Sequence, residues 1–317
     1  MFTAARHGRR RGPAVTERDR QLLVAIHQYR FLSLAQVQRL FFPSAQTTNR
    51  RVRILAAADL VAVFRPAGFP ERIVSLKKKG LAVVAKAHGL PAGALGSSPS
   101  RTRPKDYYFL RHFLDVADFR IDLTRAVAAR PDLTLLGFVA DHIVERTDQG
   151  GFRRLTRDLV CDLSRGGETV GHTPDGVFAL RRGADAALFF LEVDRGTESV
   201  THPERGFVKC IRFYLSFLAT GGFRRYGDLF GVPGFKAVRV LVATSSHARL
   251  EHIRAAGAAL QFRPADALGL IWLAESTAIT AETIVSAIWV SLDPADAKTY
   301  RIAGSPEPVP EGALIRD

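Results

Sequence analysis

Asp175, Glu192 and Asp194 are the residues whose types and spacing point most directly to chemistry. They lie in His172-Thr-Pro-Asp175-Gly-Val-Phe-Ala-Leu180 and in Ala186-Ala-Leu-Phe-Phe-Leu-Glu192-Val-Asp194-Arg-Gly-Thr-Glu198. These two apolar runs are joined by the turn-like Arg181-Arg-Gly-Ala-Asp185, a pattern that predicts a β-hairpin. Antiparallel pairing brings the start of the first strand to the end of the second. Residues two apart share a strand face, so Glu192 and Asp194 should point the same way. Three carboxylates on an otherwise Leu-, Phe- and Val-rich sheet are costly without compensation. A divalent cation, Mg²⁺ or Mn²⁺, held by Asp175, Glu192 and Asp194 is the simplest compensation. Solvation, or pairing with an arginine such as the adjacent Arg195, is the other.

The elements that must carry these residues follow from pattern and charge. The chain has 317 residues and is 47% hydrophobic, enough for two domains with buried cores. Residues 1–104 hold 19 Lys and Arg against four acids, while 105–317 hold 26 against 27. The excess positive charge therefore belongs to the first third, which suggests a nucleic-acid-binding module joined to a near-neutral domain. No apolar run approaches a membrane span, and the basic start lacks the apolar segment of a secretory signal. Two cysteines, Cys161 and Cys210, each among apolar neighbours, are too few for a disulfide framework or a cysteine zinc site, which fits a reducing cytoplasm.

Residues 1–15 read as a basic arm and 16–90 as a DNA-binding domain. Thr16 and Asp19 form a capping-box pattern for a first helix with Leu22, Leu23, Ile26 and Tyr29 on one face. Ser33 and Gln36 repeat it for a short helix that ends before Pro43. Ser44 opens a third helix to about Ala58. Its outward face holds Gln46, Thr47, Asn49, Arg50, Arg51 and Arg53, types that pair with base edges and phosphates. Two short strands, a Pro/Gly turn and Lys77-Lys78-Lys79 follow, with Arg72 on the second strand. Three helices followed by a basic hairpin is the order of a winged helix-turn-helix, so these cations are expected to meet double-stranded DNA.

Residues 91–104 have a linker composition. Beyond them a long helix, strands, the hairpin, a helix over 203–218 and the β-branched run 238–244 describe a second domain over 105–295. Residues 281–291 read as helix or final strand, and 296–317 as a loose tail. His112, Asp115 and Asp118 are the polar residues of interest on the long helix. Phe207, Ile211, Tyr214 and Leu218 are spaced as helix core.

From residue 105 the element order, with a literal Pro174-Asp175 and Glu192 in the next strand, resembles the PD-(D/E)xK restriction-endonuclease-like core. With a winged helix ahead of it, the chain resembles the bacterial replication-relaxation family, associated with plasmid replication and DNA relaxation. The residues that carry this are Thr16 to Asp19, Leu40 to Pro43, Leu110 to Leu114, Pro174-Asp175 and Phe190 to Glu198. The resemblance implies an α/β (α+β) chain, a winged helix-turn-helix followed by a restriction-endonuclease-like mixed sheet. It implies catalytic roles for Asp175 and Glu192 in metal-dependent nicking. One departure stands out: Asp194 occupies the place of the motif lysine, which in that superfamily activates water. Some members take the lysine from the following helix, a role open here to Lys209. The alternative is a degenerate nuclease fold in a regulator or an accessory factor that meets replication or mobilisation proteins. A homodimer would suit a palindromic site. No phosphate-binding G-x-x-x-x-G-K-[ST] loop, His-x-His pair, G-x-S-x-G or H-E-x-x-H is present, which argues against ATP-driven, relaxase-type and hydrolase chemistries.

Overall fold

A computed structural model describes residues 15–91, 95, 107–147, 151–260, 267–302 and 307–308. The basic arm, apart from residue 15, and most of the linker lie outside these. The chain divides into two compact units, residues 1–114 and 115–317. Among the described residues no helix is long and apolar enough to cross a membrane.

In the first unit the helix starts follow the local sequence. Helix α1 (Glu17–Tyr29) carries the Thr16/Asp19 capping box, and α2 (Leu34–Phe41) the Ser33/Gln36 box. Each satisfies amide groups that the first helical turn leaves without partners. Leu22, Leu23, Ile26 and Tyr29 are all buried, as their spacing predicts. Ser44 caps α3 (Ala45–Ala57), which buries Thr48, Val52 and Leu55. Strands β2 (Val61–Phe64) and β3 (Ile73–Leu76) pair antiparallel, and the short β1 (Leu32–Ser33) adds to β3, giving the order β1-β3-β2. Helix α4 (Lys78–Ala87) packs close to this sheet. A Cβ on Gly80 would lie 2.2 Å from the Leu60 carbonyl oxygen, so only glycine permits that approach.

Helix α5 (Tyr107–Ala128) contributes Leu110, Phe113 and Leu114 to a first-unit cluster with Phe31 and Ile73. Its remainder belongs to the second unit. There, strand β4 (Thr134–Ala140) forms one edge of an eight-stranded mixed sheet. Two small hairpins follow: β5 (Val144–Arg146) with β6 (Phe152–Arg154), and β7 (Asp158–Cys161) with β8 (Thr169–His172). The predicted central hairpin is β9 (Gly176–Arg182) and β10 (Asp185–Asp194). After β10 come α6 (Phe207–Ala219), the short α7 (Tyr226–Phe230) and β11 (Ala237–Thr244), then α8 (His247–Ala258) and β12 (Ile271–Glu275). β10, β11 and β12 are parallel neighbours, so α6 and α8 lie within crossover connections.

Side-chain alternation gives the sheet two apolar faces. Leu188, Phe190, Val240 and Val242 pack with Ile211, Tyr214, Leu250 and Ile253 of α6 and α8. Phe189, Leu191, Leu241 and Ala243 pack on the other side with Phe119 and Leu123 of α5. Burial on both faces explains the near-continuous apolar runs of β10 and β11.

The structure departs from the sequence reading near the C-terminus. The run 281–288 forms neither α-helix nor strand, and β13 (Trp289–Ser291) follows it. β14 (Lys298–Tyr300) and β15 (Glu307–Pro308) then extend the sheet, where the composition suggests a loose tail. Strand pairing there comes from an existing edge at β13 and not from apolar patterning.

Candidate functional site

Asp175 immediately precedes β9 and the carboxylates of β10 stand at its far end, so the hairpin brings them into one region. The register pairs Gly176 with Leu191, and the Asp175 amide donates to the Leu191 carbonyl at 3.0 Å. Its side chain also works within the backbone ladder: Oδ2 accepts from the Val193 amide at 2.7 Å.

Glu192 and Asp194 stand two apart on β10 and reach different helices. Arg249 of α8 grips Asp194 with two hydrogen bonds, Nε to Oδ2 at 2.7 Å and a terminal nitrogen to Oδ1 at 2.8 Å. The Asp194 and Arg249 side chains are 5% and 13% exposed, respectively. Both Asp194 oxygens are thereby engaged by a planar guanidinium, the geometry in which arginine binds carboxylate most specifically. The sequence reading makes Asp194 a metal ligand and Arg195 the nearby arginine. In the structure Arg195 pairs with Asp115 of α5 instead, at 3.0 Å.

Glu192 is buried against α6. Its Oε1 accepts the Tyr214 hydroxyl and stands 2.7 Å from Nε2 of His172, at the end of β8. Cys210 Sγ lies 3.8 Å from the same imidazole nitrogen. Cys210 and Tyr214 are four apart on α6, the spacing that puts two side chains on one helix face. Burial, helped by the nearby Asp175 charge, pushes the Glu192 carboxyl up, although the His172 ion pair opposes that. Burial alone would lower His172, but attraction to Glu192 outweighs it and the imidazole is raised above its ordinary value. The Cys210 thiol and the Tyr214 phenol are both pushed well up by burial and by the Glu192 charge. The thiol and the phenol therefore flank the His172–Glu192 pair in their neutral forms.

Lys209, the sequence candidate for water activation, is exposed in the first turn of α6, while its neighbour Cys210 faces His172. One residue of helix rotates a side chain by about 100°. Sequence pattern alone assigns no chemistry to Cys210, Tyr214 or Arg249, and marks His172 only as the start of the Asp175 stretch. The four-residue interval between Cys210 and Tyr214 was the available signal, but helical apolar spacing assigns Tyr214 equally well to the core.

A hard dication takes oxygen ligands from several carboxylates and carbonyls. Here both Asp194 oxygens serve Arg249, Glu192 Oε1 serves His172 and Tyr214, and Asp175 Oδ2 serves a backbone amide. The three carboxylates do not form an all-oxygen cage, so the fit to Mg²⁺ that the sequence suggests is poor. Another buried carboxylate, Asp158 on β7, is likewise satisfied within the protein. It accepts from Arg225 Nε at 2.5 Å and from the Tyr226 hydroxyl at 2.6 Å.

The first unit presents its polar residues differently. Gln46, Thr47, Arg50 and Arg53 are exposed on α3, and Arg72 and Lys78 are exposed around the hairpin. Asn49 turns back to the Ala45 carbonyl of its own helix at 2.8 Å. Lys77 and Lys79 flank Asp59 at 2.8 and 3.5 Å and draw its carboxyl below the usual range. Arg51 stands apart from its neighbours: its Nε lies 2.5 Å from Asp19 Oδ1, and a terminal nitrogen reaches Oδ2. Burial would raise Asp19, but hydrogen bonds from Arg51 and Thr16 carry it below its ordinary value. Arg51 thus joins α3 to the start of α1, while Arg50 and Arg53 remain exposed.

Residues 23–232 match the replication-relaxation family. No curated protein and no solved structure matches the chain.

Proposed function

The chain belongs to the replication-relaxation family, and from that premise we propose that it is a duplex-DNA-binding factor of plasmid or mobile-element replication or relaxation. In this reading the first unit is a winged helix-turn-helix. Its α3 enters the major groove, with Gln46, Arg50 and Arg53 toward base edges and phosphates, while Arg72 and Lys78 of the hairpin region reach the backbone. The observation that carries the reading is the exposed row of α3 cations, within a third of the chain that holds its whole positive excess. The second unit would support contact with replication or mobilisation proteins, or with a second copy of the chain.

Fluorescence anisotropy on duplex DNA from the gene's own upstream region tests this. Binding should weaken steeply with salt, and Arg50→Ala with Arg53→Ala should lower the slope of log K against log salt by about two, one per lost phosphate contact. Unchanged affinity and slope would remove α3 from the interface.

Strand nicking is the second reading, and the meeting of Asp175 and Glu192 at adjoining strand ends favours it. Supercoiled plasmid incubated with Mg²⁺ or Mn²⁺, and with EDTA, separates the two readings. Nicking that needs the cation and is lost in Asp175→Ala and Glu192→Ala would establish cleavage and make Lys209→Ala the next variant. Retarded but uncut plasmid supports the binding factor.

A further inference from the structure

The ligand atoms that converge in the second unit are a nitrogen, an oxygen and a sulfur. His172 Nε2, Glu192 Oε1 and Cys210 Sγ all lie within 4.8 Å of one another. We propose that His172, Glu192 and Cys210 form a binding site for a borderline transition-metal dication of the Zn²⁺ type, distinct from an all-oxygen Mg²⁺ site. This inference does not depend on DNA binding or on cleavage.

The donor set selects the ion. Imidazole, carboxylate and thiolate together suit Zn²⁺, whereas Mg²⁺ takes oxygen and is poorly served by sulfur. The separations suit it as well. A tetrahedral ion with bonds of about 2.0–2.3 Å holds its ligand atoms about 3.3–3.8 Å apart. The sulfur–nitrogen separation is already 3.8 Å, and the nitrogen–oxygen contact is 2.7 Å. Loading the ion asks the His172–Glu192 contact to open by about half an ångström and draws the sulfur and the oxygen, which lie within 4.8 Å of each other, to the same tetrahedral spacing.

Charge balance points the same way. A neutral imidazole, a carboxylate and a thiolate sum to minus two, which a dication cancels inside a buried pocket. Loading the ion releases the Cys210 proton, since the thiolate is the ligand. The three ligands come from β8, β10 and α6, elements with separate places in the packing, so their positions are held independently. Tyr214 donates to Glu192 Oε1 and orients the carboxylate from behind, the part an outer-shell partner plays at metal sites. The His172 side chain is 23% exposed, which leaves an approach for the ion.

Cobalt is the probe, because it reports its ligands optically. The full-length protein is stripped with EDTA, dialysed and titrated with Co²⁺ in the presence of excess Mg²⁺. One Co²⁺ per chain should bind, with a sulfur-to-cobalt charge-transfer band and the strong visible bands of a four-coordinate site, and Zn²⁺ should displace it. Cys210→Ser should abolish the charge-transfer band, and His172→Gln should weaken binding by about tenfold or more. Cys161→Ser, which alters the exposed cysteine, should change neither. A wild-type spectrum without the charge-transfer band overturns the proposal whatever the variants do. So does a band that survives Cys210→Ser or disappears in Cys161→Ser, or displacement of Co²⁺ by Mg²⁺.

Discussion

The two units use charge in opposite ways. On α3 the cations Arg50 and Arg53 stand exposed, available to whatever anion arrives. At the Asp194 end of β10 the three carboxylates are engaged from within: Asp194 by Arg249, Glu192 by His172 and Tyr214, and Asp175 by the Val193 amide. An exposed charge contributes little to stability and much to long-range attraction. A buried one must be paired, and its partner becomes part of the fold. Arg51 is the exception that makes the rule visible, since it sits on α3 beside the exposed cations and behaves like the buried charges of the other unit.

The contrast can be broken most forcefully at Arg249. Arg249→Ala leaves Asp194 buried without a partner and should destabilise the protein by about 3–5 kcal/mol in urea unfolding. A loss below about 1 kcal/mol would mean that Asp194 is solvated after all. Next comes the pair of adjacent arginines on α3. Arg51→Ala should cost about 2–3 kcal/mol, because Asp19 is only 1% exposed, while Arg50→Ala should stay within about 0.5 kcal/mol. Equal effects would erase the distinction drawn on that helix. The same pair gives a pH signature. Asp19 titrates below its ordinary value, so its contribution is present above pH 3.8 and is lost as pH falls through the lower folded value. Arg51→Ala should therefore reduce the acid sensitivity of unfolding.

A smaller effect is expected at Tyr214. Tyr214→Phe removes one donor from buried Glu192 and should cost about 1–2 kcal/mol by the same measurement. The subtlest test moves a proton and leaves the fold alone. Glu192→Gln takes away the counter-charge that raises His172 while its burial remains, so the imidazole should titrate below its ordinary 6.5 in a proton NMR titration. A value still above 6.5 would transfer the attraction to Asp175.

Much of the scaffold was legible because its causes are local. The Thr16/Asp19 and Ser33/Gln36 boxes act across three residues, and both caps form as their types require. The β9–β10 hairpin was readable for the same reason, since its turn and its apolar runs are contiguous. The partners of Glu192 and Asp194 were not. His172, Tyr214 and Arg249 stand 20, 22 and 55 residues from the carboxylates they contact. No periodicity or spacing rule selects them over other polar residues.

The sequence by itself determined the cation-rich first third, the helix caps and the arrival of Asp175 beside the end of β10. Each follows from composition or from interactions over a few residues. Tertiary packing alone decided that Asp194 faces an arginine, that Glu192 faces a histidine, a tyrosine and a cysteine, and that Arg51 is tied to Asp19. The physical reason is that a buried charge is defined by what closes over it. Here the closing elements, α6 and α8 over the sheet, are brought up only when the apolar faces pack, and the Arg51–Asp19 pair forms only once α3 stands beside the start of α1.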